Sequence, residues 1–181
     1  MTLTAKPVHL FCSEFWEITR LLKSAFPKKE QTSVFLLLLG ALRKSTHFTA
    51  FYNADKFAGL LYTMENDRYC FILYLAVNPQ MRSGGIGGAI LDYAYAQAGD
   101  KIIVLNVESL DSAADNHEQQ ERRIAFYARH GIGETGYGFS MDGVPYSVLA
   151  SEPSAFDPKA YSDMLGGISL GTKSTSQERL F

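Results

Sequence analysis

Cysteine is scarce in this 181-residue chain. Cys12 and Cys70 stand far apart, the second inside an apolar run, which argues for buried thiols and against a disulfide framework. Neither has zinc-ligand spacing around it. Charge of one sign is not in excess either. The net charge is −2 and the pI about 6.1, and the short basic clusters are Lys28-Lys29, Arg43-Lys44 and Arg122-Arg123, so no general pull toward nucleic acid is expected. Long hydrophobic runs are missing. Outside one core strand the longest, Val34 to Leu42, is about half of what a membrane span requires, and the first residues lack a charged-then-apolar secretory pattern. These absences set the expectation of a cytoplasmic protein with no membrane and no nucleic-acid partner. No internal repeat or linker breaks the pattern, so one domain is expected over residues 1–170. The polar, serine- and threonine-rich segment 171–181 is expected to be a mobile tail.

What is present is an ordinary globular composition, 46% hydrophobic and 20% charged, enough for a sizeable core. Apolar residues at Phe15, Ile18, Leu22 and Phe26, with Pro27 behind them, predict an amphipathic helix over 13–26, and a second helix is expected over 33–42. Thr46 to Asn53 and Phe57 to Glu65 predict antiparallel strands, and Asn66-Asp67 turns the chain into a long apolar strand from Tyr69 to Val77. A helix over 87–98 ends at Gly99, a strand follows over 101–107, and a third helix over 118–130 ends at Gly131. Strands near 134–141 and 145–150 turn at Asp142-Gly143, and a short helix is expected over 157–165.

The junction at Tyr69 to Leu91 carries the functional signal. Nine apolar residues, Tyr69 to Val77, suit a strand covered on both faces, and Asn78-Pro79 ends it. Arg82 follows, then Gly84, Gly85, Gly87 and Gly88. Glycines let backbone N–H groups approach a ligand closely, and a helix start aims unpaired donors and a positive dipole end at the same spot. A pyrophosphate resting on the N–H groups of Ser83, Gly84, Gly85, Ile86, Gly87 and Gly88 beside Arg82 is the expectation. The dinucleotide fingerprint G-x-G-x-x-G fails, because Gly85 and Gly87 are followed by Ile90; Glu108, about twenty residues on, is the one feature in its favour. A nucleotide-triphosphate loop needs Lys-Ser or Lys-Thr where Gly88-Ala89 stands.

The run Leu75-Ala76-Val77-x-Pro79 followed by Arg82-x-x-Gly85-x-Gly87 strongly resembles the acetyl-coenzyme A loop of the GNAT N-acetyltransferase superfamily. Ile124-Ala-Phe-Tyr127-Ala-Arg-His-Gly131-Ile132 is similar to that family's second signature. The two order about 65 residues. The resemblance implies an α/β fold, order ααβββαβαββ, with a mixed sheet that splays beyond the long strand and helices on its faces. Acetyl-coenzyme A is the implied co-substrate, no metal is required, and a primary amine of a small molecule or peptide is the implied acceptor. Monomer and homodimer both remain open, the final strands being the candidate pairing surface.

Roles follow by position. Leu75, Ala76 and Val77 match the strand segment that pairs with the pantetheine arm, with the Val77 N–H as candidate oxyanion donor. Glu108, ending its strand, is the candidate base, and Tyr127 the candidate acid for the leaving thiolate. Many relatives place asparagine seven residues before this tyrosine to hold the pantetheine or acceptor region; Gln120 stands there. Histone-modifying relatives place a glutamate within the long strand, at a level where this chain has only Phe71, Ile72 and Leu73, which argues against that mechanism here. Asp111, Asp115, Glu118 and Glu121 are acids near the expected cleft, more simply read as solvated charges. A module that binds acyl-coenzyme A without turnover is the non-enzymatic alternative, and a nicotinamide or flavin protein the third.

Overall fold

A computed structural model describes residues 3–9, 14–26, 30–82 and 84–168. Cys12, Pro27, Ser83 and the segment 171–181, each singled out in the sequence, lie outside the described residues. The chain divides into two units: Met1–Glu65 with Phe71–Gly99, and Asn66–Cys70 with Asp100–Phe181.

The first unit holds strands β1 (Thr4–Pro7), β2 (Thr46–Asn53), β3 (Lys56–Glu65) and most of β4 (Tyr69–Val77), in the order β1-β2-β3-β4. It also holds helices α1 (Phe15–Ala25), α2 (Val34–Gly40) and α3 (Ile86–Ala98). The β2–β3 hairpin turns at Ala54 and Asp55, both at positive φ (47° and 63°). That left-handed pair matches the right-handed twist of the flanking strands. β2 and β3 then slip register. Phe51 pairs with Gly59 and Tyr52 with Phe57, so Ala58 is an extra residue in β3. The bulge has a use. The Ala58 carbonyl accepts the Asn78 N–H at 2.8 Å and the Phe57 carbonyl accepts Asn78 Nδ2 at 2.8 Å, which fixes where β4 ends.

β4 departs from the expectation of cover on both faces. It is buried without a break from Tyr69 to Ile72; from Leu73 onward it alternates, with Leu73, Leu75 and Val77 half-buried and Tyr74 and Ala76 buried. An unbroken apolar run hides that switch, because exposure at the end of a strand depends on its neighbours rather than on its own residues. Tyr74 is a hub. Its hydroxyl donates to the Glu30 carbonyl and accepts the Thr32 N–H at 3.1 Å, while its ring meets Phe26 edge-on at 4.8 Å, which ties the segment before α2 to the strand.

The second unit holds β5 (Ile102–Glu108), α4 (His117–Arg129), β6 (Gly133–Met141), β7 (Val144–Ala150) and α5 (Pro158–Ile168). Its strands lie in the order β5-β7-β6, both neighbours antiparallel. The β6–β7 hairpin turns at Asp142 (φ 50°) and Gly143 (φ 77°), the turn residues expected from the sequence. Asp157 caps α5: its Oδ1 accepts the N–H groups of Lys159 (2.9 Å) and Ala160 (3.2 Å), and Pro158 occupies the first helical position. Tyr161 on α5 is pushed above the usual phenol range by burial and donates to Asn106 Oδ1 at 2.7 Å. β1 is the one strand that the sequence did not suggest.

Candidate active site

The amino end of α3 begins at Gly85, which adopts φ 73°, ψ 5°. A side chain there would be strained, and the position where its Cβ would stand has nothing within 4 Å. Gly85 therefore brings no side-chain oxygen to the first amide donors of the helix. Ile86, Ile90, Leu91, Ala94 and Ala98 anchor the helix in the core, with Gly87 and Gly88 half-buried at its first turn. Gly84 and Arg82 are exposed ahead of it. Gly59 on β3 makes a second close approach. A Cβ there would stand 2.5 Å from the Ala76 carbonyl oxygen and 2.9 Å from Ile90 Cδ1, so glycine is what allows β3, β4 and α3 to pack at this level.

In the second unit Glu108 ends β5 and is buried. Its Oε2 accepts Asn116 Nδ2 at 3.0 Å and Gln120 Nε2 at 3.5 Å. Glu108 pairs across the sheet with Tyr146, which pairs in turn with Phe139, and the Phe139 and Tyr146 rings stack at 5.5 Å and 14°. Direct cross-strand partners point to the same face, so the carboxylate stands in a row with two aromatic rings. Tyr127 lies on α4, is buried, and touches Phe126 edge-on at 5.2 Å. The acids near this end are engaged or exposed. Asp111 Oδ1 accepts the Ala113 N–H at 2.9 Å, Glu118 lies 3.6 Å from Arg122, and Glu121 lies 3.4 Å from His117.

The Acetyltransferase (GNAT) family model matches residues 15–132, well over half of the chain. The chain belongs to the GNAT acetyltransferase family. Solved structures agree on the GNAT fold. A GNAT-family acetyltransferase of Bacteroides thetaiotaomicron is 24% identical, with 91% of this chain and 93% of that one covered at a TM-score of 0.66. An aminoglycoside 6'-N-acetyltransferase complexed with coenzyme A is 16% identical (81% and 95% covered, TM-score 0.63). Arabidopsis thaliana Naa50, in complex with the bisubstrate analogue CoA-Ac-MVNAL, is also 16% identical (83% and 98% covered, TM-score 0.60). A comparison with curated protein sequences found no match. Among the described residues, no helix is long and apolar enough to cross a membrane.

Within this GNAT chain the residues expected from the sequence fall into two groups. Leu75, Ala76, Val77, Arg82, Gly84, Gly85, Ile86, Gly87 and Gly88 lie together at the end of β4 and the start of α3. Glu108, Gln120 and Tyr127 lie on β5 and α4. Burial pushes the Tyr127 phenol up to about 12, with Arg123 pulling weakly the other way. The sequence reading missed Asn116 as a partner of Glu108. An E…N…Q spacing across a strand end and a helix start has no recognisable period, although Asn116 and Gln120 four residues apart do share one helix face.

Proposed function

We propose that this chain is an acetyl-coenzyme A dependent N-acetyltransferase acting on a primary amine of a small molecule or peptide, by direct amine attack in a ternary complex. The observation that carries the proposal is the start of α3. There a left-handed glycine cap leaves the first amide donors without a side-chain acceptor from that residue, and Arg82 stands exposed just ahead. These residues fit a pyrophosphate: backbone donors of Gly84 to Gly88 and the guanidinium would hold it, each charged hydrogen bond contributing roughly 1.5–3 kcal/mol. Membership of the GNAT family supports acetyl transfer, and similar proteins are seen with coenzyme A and with a coenzyme A–peptide analogue. An extended arm is assigned to the main chain of Leu75 to Val77, whose Leu75 and Val77 side chains are half-buried on one face of β4, with the Val77 N–H assigned to the thioester oxygen.

Proton management decides the remaining roles. An alkyl amine near 10.4 is about 3.4 units above neutrality, so presenting it deprotonated costs roughly 4.6 kcal/mol. Glu108 is assigned as the base. Two amide groups already bind its carboxylate, which fixes its orientation. Tyr127 is assigned to the departing sulfur. With its phenol pushed up to about 12 against a thiol near 8.5, complete proton transfer is uphill by roughly 5 kcal/mol, so its part is that of a hydrogen-bond donor unless the bound state lowers the gap.

The test is thermal unfolding with acetyl-coenzyme A, followed by thiol release across an amine panel. At 100 times the dissociation constant, ligand should add about 2.7 kcal/mol and raise the midpoint by roughly 5–11 °C, and Arg82→Ala should shrink the rise. An unchanged melting curve would sink the assignment. Binding with no thiol release on any amine would favour an acyl-coenzyme A sensor instead.

A further inference from the structure

The geometry points to Gln120 as a positioning residue that locks the Glu108 carboxylate to the 109–116 loop, in place of the cofactor contact its sequence position suggests; we propose this role on the basis of the N-acetyltransferase reading above. The side-chain amide is engaged at both its oxygen and its nitrogen within the second unit. Its Oε1 accepts the Asp111 N–H at 3.0 Å, and its Nε2 reaches Asn116 Oδ1 at 3.2 Å and Glu108 Oε2 at 3.5 Å. Asn116 closes the ring by donating Nδ2 to the same Glu108 oxygen at 3.0 Å. An amide offers two N–H donors and one carbonyl, so both Gln120 donors are committed inside this ring.

Burial makes the arrangement consequential. Gln120 is 6% exposed and Glu108 8%. A buried carboxylate that loses a donor keeps the desolvation penalty without the compensating bond. Length matters as well. Gln120 sits one turn into α4, four residues from Asn116, and must span to β5 and to the loop backbone at once. Asparagine, one methylene shorter, reaches less far from the same Cα. The consequence is a base whose direction depends on a residue that need not touch substrate or coenzyme.

Three variants separate the possibilities: Gln120→Leu, which removes both functions of the amide; Gln120→Glu, which keeps an acceptor for the Asp111 N–H and loses the donor toward Glu108; and Asn116→Ala. Hydrogen exchange of the Asp111 amide, the carboxyl carbon resonance of Glu108, and calorimetric acetyl-coenzyme A affinity are measured on each, with thiol release at saturating acetyl-coenzyme A. In Gln120→Leu, Asp111 exchange should quicken by roughly 3–10-fold, and in Gln120→Glu by less. The Glu108 resonance should move in all three. Affinity should stay within about threefold while turnover falls by about tenfold or more. A tenfold loss of affinity in Gln120→Leu with Asp111 exchange unchanged would make Gln120 a cofactor ligand and overturn the inference. So would an unmoved Glu108 resonance. Wild-type protein that binds no acetyl-coenzyme A would instead count against the acetyltransferase assignment, leaving the exchange and resonance comparison to decide the lock on its own.

Discussion

The amino ends of α3 and α4 are built on opposite plans. α3 starts at a left-handed glycine, exposed, with no side chain from its cap and no acid in its first turn. α4 starts at Asn116, whose side chain is turned away to Glu108, and carries Glu118 in its first turn. A helix start attracts negative charge. At α4 that attraction is met by the chain's own glutamate. At α3 no acid of the first turn meets it, which is the basis for assigning a pyrophosphate there. The difference shows why composition alone is a poor guide to a candidate anion site: both helices have similar dipoles, and what distinguishes them is whether the first turn carries an acid.

The strongest way to break this comparison is to cross two substitutions. Tyr127→Phe on α4 should lower turnover by roughly 10–150-fold, the equivalent of one hydrogen bond to the departing thiolate, and leave acetyl-coenzyme A affinity nearly intact. Arg82→Ala, ahead of α3, should do the reverse, weakening affinity by about 10–150-fold, the equivalent of one charged hydrogen bond, with a smaller change in turnover at saturation. If both variants lose affinity and turnover alike, then binding and chemistry are not divided between the two helices as proposed.

A second effect is confined to α4. The Tyr127 phenol is raised from 10 to about 12 because burial disfavours its charged form. The sign follows from linkage. Below pH 10 the tyrosine is protonated in both folded and unfolded chains and its contribution is fully present. Between pH 10 and about 12 the unfolded chain releases its proton first, so stability is lost. At pH 11.5 the loss relative to pH 9 should be roughly 2 kcal/mol greater in wild type than in Tyr127→Phe, as read by urea unfolding. Tyr62, also raised to about 12 by burial, contributes to both proteins and cancels in the difference. Equal losses would mean that the phenol is better solvated than its position on α4 suggests.

Much of this layout was legible in the chain, and the legible parts share a cause. The α3 entry, the Asp142-Gly143 turn and the strand and helix spans rest on residues whose backbone preferences are local, so glycine, proline and periodicity reported them directly. What escaped was set by neighbours. β1 spans four residues, mostly exposed, and ends on Pro7, so it has no period to read; it exists because β2 offers it partners from Thr49 to Tyr52. The half-open end of β4 and the Ala58 bulge depend on pairing, not on apolar content. The amide ring around Glu108 depends on side chains from a strand, a loop and a helix meeting at one point, and Gln120 alone gave no sign of it.

The smallest effect sharpens the comparison most finely, because it sets the two ends of one helix against each other. Gly85 opens α3 at φ 73° and Gly99 closes it at φ 59°, and at both positions an added Cβ would meet nothing within 4 Å. Alanine at either should therefore cost stability through backbone strain alone, about 1–3 kcal/mol, seen as several degrees in the melting midpoint. Coenzyme separates them. Gly99→Ala should keep the full acetyl-coenzyme A shift, since that end presents carbonyls. Gly85→Ala should lose part of it, because strain relieved by tilting the first turn moves the amides assigned to the pyrophosphate. Equal shifts in the two variants would show that the left-handed turn at Gly85 only starts a helix and that the anion is held elsewhere.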